Sequence, residues 1–453
     1  MQNLMAQPAM SKELESVAFV RAAVPEEGLF ADKEWLISPE PFPLSEQCTE
    51  ELEKLGYRLQ LFVRACNRLY QLSVKGRQPQ WVAQYLDQGK PADLVEYSRA
   101  QIFANEIPQI IRPDVILTEN GFTIAELDSV PGGIGLTGWL NQTYAALGHD
   151  VIGGADGMQE GFHSLMPNGG DVLISQEAST YLPEMKWLAR QINQRHPESS
   201  LAVKAAEDYS VNTGDGAVQK RDVYRFFELF DLPNIPSVRN LMAAGLKGDV
   251  RITPPIKPCL EEKMWFALFW MRPLREFWRR ELSERHFTKL QQVIPYTWIV
   301  DPTPLPHNAA IPRLDIHDWR ELGSFSQKQR ELILKISGYS ELAWGSRGVV
   351  FGQDMPQHEW RAAVGRAIDL YEKSPRILQQ FHKARVLEHS YHHLQSNSIR
   401  KMQARVRLCP YYFITDSHTT LSGALATICP ADKKLLHGMK DAILAPAAVK
   451  ESK

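Results

Sequence analysis

The chain has 453 residues, with 51 Lys plus Arg against 53 Asp plus Glu for a formal net charge of −2, and 44% hydrophobic residues. That balance excludes general disorder and carries no signature of a nucleic-acid or membrane-surface partner. At about 150 residues per domain it predicts roughly three domain-sized units. Cys48, Cys66, Cys259, Cys409 and Cys429 are scattered, with no C-x-x-C pair. This speaks against a disulfide framework or structural zinc site and for a reducing compartment. Residues 1–15 lack a long apolar core, and the most apolar run, 264–271, is too short to span a bilayer. A soluble cytoplasmic protein is expected.

In chain order, residues 1–110 read as mostly helical. Leu52, Leu55, Leu59, Phe62 and Cys66 recur at helical spacing, as do Val82, Tyr85 and Leu86. From 114 to 128 the pattern becomes two short strands about the turn Glu119-Asn120-Gly121, closed by Pro131-Gly132-Gly133 and followed by a helix over 136–147. Strands are expected at 171–175 and 201–204, a helix over 183–193, and a strand or buried helix over 223–230. Thr253-Pro254-Pro255-Ile256-Lys257-Pro258 predicts a rigid connector. Residues 261–290 read as one long helix or as two broken at Pro273, and the proline cluster at 302–312 reads as a loop. The last third alternates: a strand at 332–337, a glycine-rich segment at 338–352, a helix over 359–373, a strand at 376–381 and paired strands at 405–415 and 420–428. Residues 447–453 read as a frayed tail.

The segment 112–133 is the most informative. A three-residue hairpin loop ending in glycine is a favoured connection. If Glu119-Asn120-Gly121 is that loop, Thr118 faces Phe122, Asp114 faces Glu126 and Arg112 faces Asp128. Alternation along a strand then projects Arg112, Asp114, Glu126 and Asp128 from one face, together with Ile116 and Ile124. A two-residue turn would flip Asp114 to the other face. Three clustered carboxylates resist joint ionisation, and a hard divalent cation with oxygen ligands relieves that cost. A solvated charged face neutralised by Arg112 is the other reading of the same spacing. Lys335, inside the apolar run 332–336, needs an anionic partner, because an unpaired buried charge is costly.

Arg112-Pro113-Asp114, a hairpin, Glu126-Leu127-Asp128 and then Pro131-Gly132 resembles the metal-binding end of ATP-grasp enzymes. There the pattern runs Arg-x-Asp, turn, Glu-x-Asn; Asp128 stands where the family usually has Asn. In most of that superfamily this piece closes the ATP-grasp domain, whereas here it comes first. The order resembles the circularly permuted group that includes the synthetase domain of glutathionylspermidine synthase. The resemblance covers about residues 110–445 and implies an α+β chain. Residues 1–110 would form a helical N-terminal region and 111–150 the permuted metal-binding hairpin. Residues 151–257 would form a pre-ATP-grasp α/β domain and 258–453 the lysine, lid and hinge subdomains.

The resemblance also implies a site. Asp114, Glu126 and Asp128 would hold Mg²⁺, and Lys263 and Lys335 would be the ATP lysines. Gly345, Ser346, Arg347 and Gly348 lie in the segment matching the lid. Gln379, Gln380 and Phe381 lie in the adenine-binding strand, where Gln380 replaces a frequent Glu. Arg407 would reach the phosphates, its strand neighbour Arg405 being the alternative, and Arg112 would orient the carboxylates or the transferring phosphoryl group. Segments 175–177 and 224–226 would lie near the acceptor. The implied activity is Mg-ATP-dependent carboxylate–amine ligation through an acylphosphate. An ATP-binding scaffold without turnover and a small-molecule phosphotransferase are the competing readings. The expected partners are a small-molecule or peptide acid and an amine.

Two further clusters carry less. Residues 388–393, if helical, put His389, His392 and His393 on one face, but no second ligand cluster for zinc lies near them in sequence. The arginine-rich stretch 272–289 is interspersed with Glu276, Glu281 and Glu284 and reads as a salt-bridged helix face.

Overall fold

The computed structural model describes residues 11–29, 34–211, 221–343, 345, 347–415, 418–434, 436 and 440–450. In chain order the strands are β1 (Phe42–Leu44), β2 (Ile110–Thr118), β3 (Gly121–Asp128), β4 (Gly170–Ile174), β5 (Leu201–Ala205), β6 (Arg221–Phe226), β7 (Val250–Thr253), β8 (Thr297–Ile299), β9 (Leu332–Ile336), β10 (Val350–Phe351), β11 (Arg376–Gln380), β12 (Leu387–His393), β13 (Ser398–Ile414), β14 (Thr419–Pro430) and β15 (Ile443–Val449). They form three sheets in a mixed α/β architecture. One has the order β1-β15-β14-β13-β2-β3, with β12 added on β13; the others run β10-β9-β11-β8 and β5-β4-β6-β7.

The long strand β13 organises the first sheet. Its start pairs with β12, its later part with β2, and it lies against β14 for most of its length. One face of this sheet carries the helix Glu46–Val74, whose Ser45 cap accepts from the Cys48 amide and whose apolar stripe includes Leu52, Leu55, Leu59 and Phe62. Phe62 stacks on Trp278 of the helix Arg275–Val293, with ring centroids 5.5 Å apart. The opposite face carries the helices Ile134–Ala146 and Gly157–Leu165, and the helix Leu182–Arg195 packs between these two and β5. The β5-β4-β6-β7 sheet is parallel throughout, and the β10-β9-β11-β8 sheet is antiparallel and covered by the helix Gln357–Asp369.

Pro273 breaks the apolar stretch as expected: a helix Trp265–Trp270 gives way to the turn Arg272–Leu274 before Arg275–Val293 begins. Three expectations need correction. Residues 387–393 are a strand, because residues 394–397 turn the chain back and Ser398–Ala404 supplies a complete antiparallel partner. His389 and His392 therefore point to opposite faces. His389 Nε2 lies 3.0 Å from Ser38 Oγ, while His392 meets Arg21 and Asn397 at 2.9 Å each. Of the segment expected to fray from 447, residues 447–449 instead continue β15, where Ala447 and Ala448 are buried and pair in parallel with Phe42 and Pro43, and residues 451–453 lie outside the described residues.

The third correction concerns the hairpin. Its tip is tighter than the three-residue loop, for Thr118 pairs with Gly121 and Leu117 with Phe122. The register then shifts between Val115 and Asp114, so that Val115 faces Ile124 while Asp114 faces Glu126. Ala125 is the extra residue of a β-bulge. The expected pairs Asp114–Glu126 and Arg112–Asp128 are thus present, with the extra residue at Ala125 rather than at the tip. Ile124 consequently leaves the carboxylate face and joins Val115 and Leu117 in the core.

Candidate active site

The hairpin β2–β3 presents its charged face beside β13. Asp114 is buried, and both its oxygens meet guanidinium groups: Oδ2 lies 2.9 Å from Arg407, and Oδ1 lies 3.2 Å from Arg112. Burial works to raise the Asp114 carboxyl, but Arg407 and Arg112 outweigh it and hold the carboxyl below its usual value. Arg112 also reaches Asp128 Oδ2 at 3.0 Å, and the other Asp128 oxygen accepts from the Val130 amide at 2.9 Å. Burial pushes Asp128 up, against the opposing pull of Arg112.

Cationic groups distant in sequence converge on the same place. Lys335, one residue before the end of β9, is buried, and its Nζ donates at 2.9 Å to the Ala125 carbonyl on the bulge and at 2.9 Å to Gln379 Oε1 on β11. Burial lowers its pKa to about 8, against the opposing pull of Glu126. Lys263 Nζ donates to the Ala343 carbonyl at 3.0 Å and lies 3.6 Å from Glu126. Burial works to lower Lys263, and Glu126, Glu228 and Asp128 together more than offset it. The two lysines are clipped together through Ser337, which follows β9. The Ser337 carbonyl accepts from the Lys263 amide at 2.9 Å, and its hydroxyl accepts from the Met264 amide at 3.0 Å and contacts the Glu262 carboxylate.

Two cavities meet at this cluster. The larger, about 440 Å³, is walled by Arg112, Asp128, Lys263, Tyr181, Glu228 and Glu261, among others. The smaller, about 100 Å³, lies between the first sheet and the β10-β9-β11-β8 sheet, and Asp114, Lys335, Gln379 and Phe381 line it. Glu126 and Arg407 line both. Gly345, at φ 64, borders the larger cavity, and Val349 and Phe351 border the smaller, so the glycine-rich segment spans the two. Arg347 is exposed and pairs with Glu177 at 3.1 Å. Gly348 lies so close to the Leu342 carbonyl that a Cβ there would clash. Ser346 lies outside the described residues.

The structure divides the remaining expected residues. Gln379 is buried against Lys335, but Gln380 is exposed. The amides of Gln380 and Phe381 are both used within the sheet, on the carbonyls of Tyr296 at 2.9 Å and Glu331 at 3.0 Å. Gln380, Phe381, His382 and Ala384 all line the smaller cavity, so those two amides are taken but the segment still borders the space. Arg405 borders that cavity too, but its tip donates to the Lys433 carbonyl at 3.3 Å rather than to Asp114. Of the acceptor segments, Ser175, Glu177 and Phe226 line the larger cavity. Arg225 is instead buried and holds the Pro254 and Pro255 carbonyls.

No family model matches the chain, and no curated protein matches its sequence. Among solved structures, a glutathione synthetase-like effector from Globodera pallida in its apo form aligns over 96% of this chain and 97% of that chain, with a TM-score of 0.55 at 10% identity. The chain shares that fold. A putative gamma-glutamylcysteine synthetase from Methylobacillus flagellatus KT aligns over 82% of this chain and 83% of that chain, with a TM-score of 0.36 at 13% identity, too weak to bear on the fold.

Beside the larger cavity, a helix N-terminus is capped by a carboxylate from another helix. The helix Ile134–Ala146 starts at Gly133, which has no side chain to cap it and adopts φ 86. Its first amides meet the fully buried Glu184, which accepts from Gly133 and Leu136 at 2.8 Å each. Sequence reasoning passed over Glu184, Glu228 and Glu261, because nothing in their neighbouring residues distinguishes them from ordinary surface acids.

The donor set can be tested for a divalent cation. Among the described residues, Asp114, Glu126 and Asp128 are not a group whose oxygens all lie within 4.8 Å of one another. Mg²⁺ commonly takes one or two carboxylates and completes its shell with water and phosphate oxygens. Glu126 and Asp128 both line the larger cavity, and Asp114 is enclosed by two arginines, so the first pair fits that need. Beside them, Arg112 Nε and Arg407 Nε are buried donors with no partner among the described residues, which suits them to anionic oxygens. The five cysteines form no disulfide, and among the described residues no helix is long and apolar enough to cross a membrane.

Proposed function

We propose that the chain is a Mg-ATP-dependent carboxylate–amine ligase on a circularly permuted ATP-grasp fold. The observation that carries this reading is the convergence of the acidic hairpin β2–β3 with Lys263, Lys335 and Arg407, all later in the chain, where two cavities meet. The smaller cavity, beside Lys335, takes the nucleotide. At about 100 Å³ it is well below the volume of about 300 Å³ or more that ligand sites usually offer, so the glycine-rich segment must shift to admit ATP. Lys434, which lines this cavity, pairs with Asp354.

The larger cavity takes the acid and the amine. In its wall Glu228, which burial beside Glu261 and Asp128 pushes up to about 8, takes its charged form as an ammonium group arrives, while Glu177 and Glu261 already pair with Arg347 and Arg225. The substrate carboxylate attacks the γ-phosphorus at the junction, where Glu126 and Arg407 border both spaces, and ADP leaves as the β,γ-bridging P–O bond breaks; the amine, having given up a proton, then attacks the acyl carbon and expels phosphate, losing a second proton to leave an amide. Lys263, Lys335, Arg112 and Arg407 neutralise the charge on the phosphoryl oxygens. Glu126 and Asp128 would hold Mg²⁺, which supplies further neutralisation of that charge. The glycine-rich segment excludes water from the acylphosphate.

The test is ADP release from the full chain with pooled acids and amines, with products captured by mass spectrometry. An amide product that disappears in Glu126→Ala, with an unchanged circular dichroism spectrum, is expected. Full turnover in both Glu126→Ala and Lys335→Ala would end the site assignment. A phosphorylated small molecule would identify a phosphotransferase, and ATP binding with no phosphate release a scaffold.

A further inference from the structure

Away from the cleft, two helices of the lobe beside β4 bring three metal-ligating side chains together. Glu160 and His163 lie three residues apart on the helix Gly157–Leu165 and so share a face, and His196 immediately follows the helix Leu182–Arg195. One ligand atom from each lies within 4.8 Å of the other two. His196 Nε2 is 3.1 and 3.2 Å from the two Glu160 oxygens. That is the separation of neighbouring ligands on one ion with bonds of about 2.0–2.2 Å.

His163 Nε2 lies 2.9 Å from Ser199 Oγ, whose hydroxyl also meets the His196 carbonyl at 3.3 Å, so an ion at Nε2 replaces that contact. His196 Nδ1 faces Glu198 at 3.8 Å. A carbonyl or carboxylate behind the ring is the arrangement that orients histidines on metals. The two rings lie face to face, 3.8 Å between centroids and 2° from parallel.

We propose that Glu160, His163 and His196 bind a transition-metal dication of the Zn²⁺ or Ni²⁺ class, tying the ends of the two helices together. His163 is the fixed ligand, and His196, on the connection after its helix, turns out of the stack to direct Nε2 at the same ion. Arg195, 3.6 Å from Glu160 and 2.6 Å from Asp156, keeps Asp156 and gives up Glu160.

The test uses the full chain without an affinity tag. Zn²⁺ titration by calorimetry should give one saturable site, and Co²⁺ should give visible ligand-field bands. His163→Ala and His196→Ala should each weaken Zn²⁺ by about tenfold or more. Glu160→Gln, a milder change, should weaken it while leaving the thermal melt without metal unchanged. Absence of saturable binding overturns the proposal. So does binding that survives both histidine variants, which would place the ion elsewhere, such as the histidines of β12. No nucleotide enters these measurements, so the outcome is separate from the ligase reading.

Discussion

Lys335 offers a quantitative test of the cleft, because burial has lowered its pKa from 10.5 to about 8. That difference corresponds to about 3 kcal/mol against the charged form in the folded chain. Below pH 8 both the folded and unfolded states hold the proton, and the full penalty is present. Between pH 8 and 10.5 the folded lysine has released its proton while the unfolded one keeps it, so stability rises with pH. The perturbation is Lys335→Met, which keeps the volume and removes the titration. It also strips the Ala125 carbonyl and Gln379 Oε1 of a donor, so net stability at one pH is uninformative. The difference between wild type and variant is the observable, since other lysines and tyrosines titrate equally in both. Urea unfolding at pH 7 and pH 10 should show wild type gaining about 2–3 kcal/mol relative to Lys335→Met. Saturating Mg-ADP should shrink that gain, because phosphate oxygens favour the ammonium form. Parallel stability curves for the two proteins, with and without ADP, would refute both the buried charge and its partner.

Two further measurements probe the scaffold around the cleft. Burial of His389 lowers its pKa from 6.5 to about 4, so as pH falls below 6.5 the unfolded state takes a proton that the folded state refuses. Stability then falls with pH, by about 2 kcal/mol between pH 7 and 5. His389→Gln, which preserves a partner for Ser38, should flatten that loss in urea unfolding, and an unchanged pH dependence would count against a neutral buried His389. Glu184→Ala leaves the amides of Gly133 and Leu136 without their acceptor and should cost about 3 kcal/mol or more, with Glu184→Gln milder. An alanine variant within about 0.5 kcal/mol of wild type would show that the carboxylate is not the helix cap.

The parts of the molecule that could be read in advance are those whose pattern is local. The stripe from Leu52 to Cys66 and the break at Pro273 follow from spacing and from a missing amide hydrogen, and both are present. The spacing of the histidine-bearing segment leaves helix and strand both open, and the partner strand Ser398–Ala404 with the turn before it decides the matter. The end of the chain was expected to fray because nothing local marks β1 as its partner, about 400 residues earlier. Glu184 is invisible for the same reason: its role depends on a different helix that lacks a capping side chain.

The hairpin shows most about what a residue pattern can and cannot specify. The facing of Asp114 with Glu126 and of Arg112 with Asp128 requires one extra residue between the tip and the charged pairs. The glycine at 121 suggested that the extra residue sits in the loop, but the chain puts it at Ala125. A bulge there costs a regular ladder bond but re-aims the strand, and the carbonyl of that same Ala125 is the one that Lys335 reaches across from the other sheet. Moving the extra residue to the tip would preserve every charged pair on the hairpin and lose the contact between the two sheets. The position of the bulge is therefore set by the cleft it helps close, a constraint carried by β9 and not by any residue of the hairpin itself.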